Sequence, residues 1–319
     1  MKIPQALCTV PEDFVTDFYM ISSYQQEEEL YYMEQKKNLV TLGSTGITVE
    51  KNSFGALPIQ RISREAAIGL LRKAYAAGVT FYDTARYYTD SEEKVGAAFE
   101  GMRDKIYIAT KTGATTAEGF WKELHTSLEK LKTDYIDLML LHQPFSDYYG
   151  AYRALEDLYD EGKIKAIGIS NFYPDRMVDL ASFTRIKPMI NQIEIHPYHQ
   201  QVFSKEWHDK YGVQLEAWAP FGEGRKNMFE LSELKEIGDK YGKTVAQVIL
   251  RWHLQRGIVV IPKSTHLERM KENFNVFDFE LAQEDMDVIS KLDKNESSFF
   301  SHQDPSIVEW FGKLIEERK

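Results

Sequence analysis

A repeating rhythm does most to limit how this chain can fold. From residue 49 onward, short apolar runs rich in β-branched and aromatic residues alternate with longer segments of helical period. The runs predict strands at Val49–Phe54, Thr80–Asp83, Ile106–Thr110, Ile136–Leu141, Ala166–Ile169, Met189–Ile193, Gln214–Trp218 and Ile258–Ile261. Helices are expected at 63–77, 91–99, 115–131, 149–161, 175–182, 203–211, 231–255 and 266–273. Eight alternations without a break rich in Pro, Gly or Ser predict a single (β/α)8 TIM barrel over residues 38–319, C-terminal tail included. A doubly wound open sheet is the rival, but it would carry G-x-G-x-x-G after its first strand, and nothing of that kind follows Phe54.

Two segments stand outside the rhythm. Residues 1–37 are polar and aromatic, with no clear strand period, and are read as an N-terminal extension. The stretch "TLGSTGITVEKNSFG" reads as a β-hairpin turning across Ser44 to Gly46, an N-terminal cap for one end of the sheet. Capping side chains at Ser63 and at Thr89-Asp90 mark two helix starts.

Composition narrows the partners. The 319 residues carry a formal net charge of -10, which argues against a broad polyphosphate-binding face and hence against nucleic acid. The single cysteine, Cys8, excludes an internal disulfide framework and a cysteine-rich metal site, and fits a reducing compartment. The N-terminus lacks a signal peptide's apolar core, and no stretch approaches the roughly 20 apolar residues that span a bilayer. The expectation is a cytoplasmic protein without a membrane partner.

In a barrel of this kind the site lies at the C-terminal ends of the strands, so what each apolar run ends in is informative. The second ends in Asp83, with Tyr88 in the following loop, the third in Lys111, the fourth in His142, and the fifth in Ser170-Asn171. The sixth carries Gln192, the seventh ends at Trp218, and the eighth at Lys263-Ser264. Taken singly, Asp83 reads as a turn residue, Tyr88 as a half-buried aromatic, Lys111 as a strand-end charge and His142 as a satisfied core histidine. Together they allow a specific chemistry. Tyrosine, with a pKa of about 10, is a poor acid at neutral pH; a neighbouring Lys111 ammonium would lower that value, and Asp83 would hold the lysine charged and in place. His142 would orient a carbonyl oxygen. Neither a Ser-His-Asp arrangement nor H-E-x-x-H is present, so no metal is expected.

The motifs "FYDTARYYTDSEEKVG", "IATKT", "DYIDLMLLHQP", "IGISNF", "INQIEIHP", "EAWAPFG" and "VVIPKSTHLERMKENFNVFDFEL" occur in this order between Phe81 and Leu281, within a likeness that runs from about residue 40 to 292. The chain thereby resembles the aldo-keto reductases, most of all the bacterial branch that includes diketo-gluconate reductases. The resemblance implies Tyr88 as general acid, with Asp83, Lys111 and His142 completing a catalytic tetrad. It implies that Ser170, Asn171 and Gln192 hold a nicotinamide carboxamide and that Trp218 stacks on the ring, with Pro220 and Phe221 as further cofactor contacts. Lys263, Ser264 and Arg269 match positions at the 2′-phosphate of NADPH, and Glu272 and Asn273 lie near the adenine. NADPH is favoured, with NADH possible. The activity implied is reduction of an aldehyde or ketone to an alcohol by hydride transfer from nicotinamide C4, in a monomer or weak homo-oligomer. The alternatives are an alcohol or sugar dehydrogenase running the reverse reaction, and a non-catalytic cofactor-sensing subunit.

The chain also departs from the family. Gly113 stands where relatives often carry a bulky aromatic, which predicts a more open substrate pocket there. Arg86, Tyr87 and Gln143 are the other candidates for its wall. The loop "PFGEGRKNMFE" is short for a belt over the cofactor, and the tail aromatics Phe299, Phe300, Trp310 and Phe311 are placed equally at the substrate mouth or on the barrel wall.

Overall fold

The computed structural model describes residues 39–43, 45–114 and 116–317. The extension at residues 1–37, Cys8 and the hairpin-turn residue Ser44 lie outside these residues. A two-stranded sheet of β1 (Leu39–Thr41) and β2 (Thr48–Glu50) precedes eight parallel strands that lie side by side in chain order. These are β3 (Phe54–Gly55), β4 (Phe81–Asp83), β5 (Tyr107–Thr112), β6 (Ile136–Leu141), β7 (Ile164–Ser170), β8 (Ile190–Glu194), β9 (Gln214–Trp218) and β10 (Val259–Val260). The sheet closes where Val260 N–H donates to the Lys51 carbonyl (2.7 Å), Ser53 N–H to the Val260 carbonyl (3.0 Å) and Gly55 N–H to the Pro262 carbonyl (3.1 Å). A helix follows each strand from β4 to β10, so the strands are covered outside and filled inside. All six residues of β6 are buried, as a parallel strand between two packed layers requires.

The hairpin seals the end of the barrel where the strands begin. Leu42 and Val49 are buried, and Gly43 lies against the side chain of Met189, the residue before β8. This leaves the opposite, C-terminal end open for a site.

Three sequence expectations need correction. The run Val49–Phe54 is not one strand: Thr48–Glu50 belongs to the hairpin, and the first barrel strand is only Phe54–Gly55, because Lys51 to Ser53 turn the chain from one sheet into the other. The segment 231–255 is two helices, Ser232–Tyr241 and Val245–Gln255. Gly242 ends the first in the left-handed region (φ 63°), and Thr244 with Gln247 opens the second through a reciprocal capping box. Ser63 caps its helix as expected, accepting from Ala66 N–H at 3.2 Å, but neither Thr89 nor Asp90 caps Ser91–Ala98. Thr89 donates to Gln60 and Asp90 pairs with Lys94 instead. Two further helices follow, Gln283–Ser290 before the tail and Pro305–Glu316 within it. No described helix is long and apolar enough to cross a membrane.

The helix behind β4 is held against its neighbour by a close approach. A Cβ at Gly96 would lie 2.3 Å from the Lys130 carbonyl oxygen and 2.8 Å from Leu131 Cα, backbone atoms of the helix Ala117–Leu131 that cannot swing aside. Gly96→Ala is therefore expected to destabilise the fold by roughly 2 kcal/mol or more, read as a lower urea midpoint at unchanged slope; an unchanged midpoint would show that the two helices separate freely.

Candidate active site

The strand ends bring four side chains to one place. On β5, Lys111 is fully buried, and its ammonium donates to Asp83 Oδ1 of β4 at 2.7 Å and to the Thr84 carbonyl at 2.8 Å. The ammonium lies 5.2 Å from the centre of the Tyr88 ring, and His142, just past β6, meets that ring edge-on at 6.2 Å. Tyr88 arrives there because Thr84 N–H and Arg86 N–H continue the ladder onto the Ala109 and Lys111 carbonyls before the chain turns.

The protonation states follow from burial and charge. Burial alone would push the Lys111 ammonium down, but Asp83, with smaller help from Tyr88 and Glu216, offsets that and leaves it above its ordinary value, hence charged. For Tyr88 the balance differs from the sequence expectation: burial raises the phenol above 10 and outweighs the lowering by Lys111. Tyr88 therefore holds its proton at neutral pH. Burial first, then the Lys111 charge, pushes His142 down to about 3, so its imidazole is neutral. Beneath the pair, Gln192 Nε2 donates to Asp83 Oδ2 (2.9 Å) and to Glu216 Oε1 (3.1 Å), and burial together with the Asp83 charge raises the Glu216 carboxyl. Glu216 gave no signal in the sequence beyond being one acid in an apolar run.

Two chambers adjoin at this end. The inner one, about 410 Å³, is lined by Asp83, Tyr88, His142, Gln143, Ser170, Asn171 and Trp218, and by Phe299, Phe300 and His302 of the tail. The outer one, about 670 Å³, is lined by Phe221, Lys263, Ser264, Arg269, Glu272 and Asn273, with Arg61 as a further cation that the sequence reading missed. Leu57, Glu223 and Lys263 line both, and the Glu223 carboxylate pairs with the Lys263 ammonium between them. The short loop thus reaches across the cleft through Glu223.

The remaining sequence candidates fall as follows. Gln192 is buried below the inner chamber, its amide nitrogen committed to the two carboxyl groups, and Pro220 is buried and lines neither chamber. Trp218 Nε1 donates to Asn171 Oδ1 at 2.9 Å, and Phe299 packs edge-on against the indole at 5.1 Å, which fixes the plane of the ring. Arg86, Tyr87 and Gly113 do not line the inner chamber. The expected opening at Gly113 is absent, because the Tyr87 ring occupies it: a Cβ at Gly113 would lie 2.0 Å from Tyr87 Cε2. The Tyr87 hydroxyl donates to Glu123 at 3.1 Å, and Glu123 also accepts from the Thr112 hydroxyl and from Gly113 N–H. Of the tail aromatics, Phe299 and Phe300 line the chamber, Phe311 packs on Phe145 and Phe300, and Trp310 is exposed. Among the described residues no cluster of His, Cys, Asp or Glu suits a metal ion.

The chain is similar to known proteins over most of its length. The sequence model described as "Aldo/keto reductase family" matches residues 40–294. The glyoxal reductase of Bacillus subtilis is 43% identical over 258 residues, covering 78% of this chain and 91% of that protein. Methylglyoxal reductase DkgA of Escherichia coli K12 is 39% identical over 244 residues, covering 75% and 88%. Among solved structures, an aldo/keto reductase from Brucella melitensis superimposes with a TM-score of 0.74 at 39% identity, covering 80% of this chain and 99% of that one. A Bombyx mori aldo-keto reductase in complex with NADP does so with a TM-score of 0.78 at 28% identity, covering 85% and 96%.

The buried histidine His302 ties stability to pH. Burial pushes it down to about 4, against about 6.5 in an unfolded chain. The folded state then binds fewer protons between these values, so stability is full above pH 6.5 and is lost as pH falls toward 4. Urea denaturation at pH 7 and pH 5 should show a loss on the order of 1–2 kcal/mol that shrinks in His302→Phe; equal losses in the two proteins would refute this.

Proposed function

The chain belongs to the aldo/keto reductase family, and from that premise we propose that it reduces small aldehydes and ketones, vicinal dicarbonyls included, with NADPH, Tyr88 donating the proton. The observation that carries this reading is the cluster of a buried charged lysine, a neutral tyrosine and a neutral histidine at the floor of a two-chambered cleft. The glyoxal and methylglyoxal reductases among its relatives support the substrate class.

The cleft fits a phosphorylated dinucleotide on its own residues. The inner chamber offers a fixed indole face at Trp218 beside the amide of Asn171, suited to a nicotinamide. The outer one gathers Lys263, Arg269, Arg61 and the Ser264 hydroxyl at the start of the helix Leu267–Phe274, a cationic cradle for phosphate. When bound, the nicotinamide supplies a hydride. The rest belongs to the protein. His142, neutral, donates a hydrogen bond that orients the substrate's carbonyl oxygen beside the Tyr88 hydroxyl. Tyr88 gives its proton to that oxygen as negative charge grows there. The Lys111 ammonium then stabilises the phenolate left behind, and Asp83 keeps the ammonium in position. Because burial raises Tyr88, the proton is present throughout the neutral range and leaves only when the oxygen becomes basic.

Tyr88→Phe should lower kcat for carbonyl reduction by about 10²- to 10⁴-fold while NADPH still quenches Trp218 fluorescence; full turnover in this variant would remove tyrosine from the mechanism. Arg269→Ala should weaken NADPH binding about tenfold and NADH binding far less, measured by the same titration, and an equal loss for both would refute a 2′-phosphate contact.

A further inference from the structure

The tail that crosses the open end of the barrel is fastened before it reaches the inner chamber. Glu194, at the end of β8 and 1% exposed, accepts from Ser297 Oγ at 2.6 Å and from Ser298 N–H at 2.8 Å, with His196 Nε2 as a third partner at 2.9 Å. On the other side, Arg225 donates to the Ser298 carbonyl at 2.8 Å and lies 4.3 Å over the Phe299 ring. Glu194 is thus a positioning residue: it fixes where Phe299, Phe300 and His302 enter the chamber wall.

His302 is the unusual member of that wall. It is 2% exposed and packs against an aromatic cluster, with Phe300 at 5.0 Å, Phe145 at 6.0 Å, Phe311 at 6.1 Å and Tyr173 at 6.2 Å, Phe145 and Phe311 themselves lying 5.1 Å apart. A phenylalanine would satisfy such surroundings. Instead the site holds an imidazole whose Nδ1 and Nε2 both lack a hydrogen-bond partner among the described residues. A buried polar group left unpaired carries a desolvation cost, and the space that this side chain borders is the chamber containing Tyr88 and His142. Neutral imidazole has one N–H donor and one lone-pair acceptor, so it can meet either a carbonyl or a hydroxyl oxygen.

We propose that His302 is a specificity-determining residue that hydrogen-bonds a second oxygen of the substrate, the one not being reduced, and so selects dicarbonyl and hydroxy-carbonyl compounds over simple aldehydes. The proposal rests on the carbonyl-reductase reading and adds to it the group that recognises the substrate. Discrimination of this kind is effective because a substrate lacking the second oxygen leaves the buried imidazole unpaired. The tail, clamped by Glu194 and separate in sequence from the tetrad, then sets which carbonyl compounds the common chemistry accepts.

The test compares two three-carbon substrates, 2-oxopropanal and propanal, at saturating NADPH in the wild type, His302→Phe and His302→Gln. In His302→Phe the ratio of kcat/KM for 2-oxopropanal to that for propanal should fall about 10- to 100-fold, mainly through KM, and His302→Gln, which keeps a donor and an acceptor, should recover part of it. An unchanged ratio would overturn the proposal. A second measurement needs no variant to be active: in the wild-type complex with NADP+, the His302 ring Cε1–H resonance should shift on adding 2-oxopropanal and not propanal, and equal responses would count against the proposal. If the wild type reduces neither compound, the reductase reading fails, while this resonance still reports whether His302 contacts the second oxygen.

Discussion

The ion pair between Asp83 and Lys111 is the constraint on which the rest of the site depends. A lysine with no solvent exposure is costly unless its charge is met, and here a carboxylate at 2.7 Å and a backbone carbonyl at 2.8 Å meet it. Such a pair is a poor source of stability compared with apolar packing, but removing either partner would strand the other charge. Its presence also governs its neighbours. Glu216, facing Asp83 across Gln192, is raised by burial first and then by the Asp83 charge. His142 is kept neutral in part by the same ammonium, and Tyr88 is raised by burial against the pull of Lys111.

The pair exists because of the barrel. Asp83 and Lys111 are 28 positions apart, yet parallel pairing sets Asp83 opposite Ala109, which brings the Lys111 ammonium to it. The same parallel arrangement places His142, Ser170, Asn171 and Trp218 at the matching ends of later strands, while the hairpin closes the other end. What differs between proteins built on this plan is the material that crosses the mouth. Here that material is the loop bearing Glu223 and Arg225 and the tail bearing Phe299, Phe300 and His302.

Much of this was legible in the sequence, and the exceptions have physical causes. Strand–helix alternation pointed to the barrel and the polar residues ending the apolar runs to Asp83, Tyr88, Lys111 and His142, while the residues that line the outer chamber were named by the resemblance to the aldo-keto reductases. The break of the segment 231–255 was legible too, in Gly242 followed by Thr244 and Gln247, but helical period on both sides masked it. The division of Val49–Phe54 was not, because a short apolar run does not state which sheet it joins. Gly113 misled for a different reason. A missing side chain predicts space only if nothing else enters, and the ring that enters, Tyr87, comes from the neighbouring strand's loop. The Tyr88 phenol likewise depends on burial, which no local pattern reports.

The sequence by itself determined the periodicity, the polar residues at strand ends and the motif order that together specify an aldo/keto reductase barrel, because these depend on residues close along the chain. Only the tertiary structure decided which groups are charged, which opening is filled and where the tail lies. Burial and the pairing of distant residues set those outcomes: Glu194 with Ser297 and Ser298, Tyr87 over Gly113, and His302 packed against Phe300, Phe145 and Phe311 beside the inner chamber.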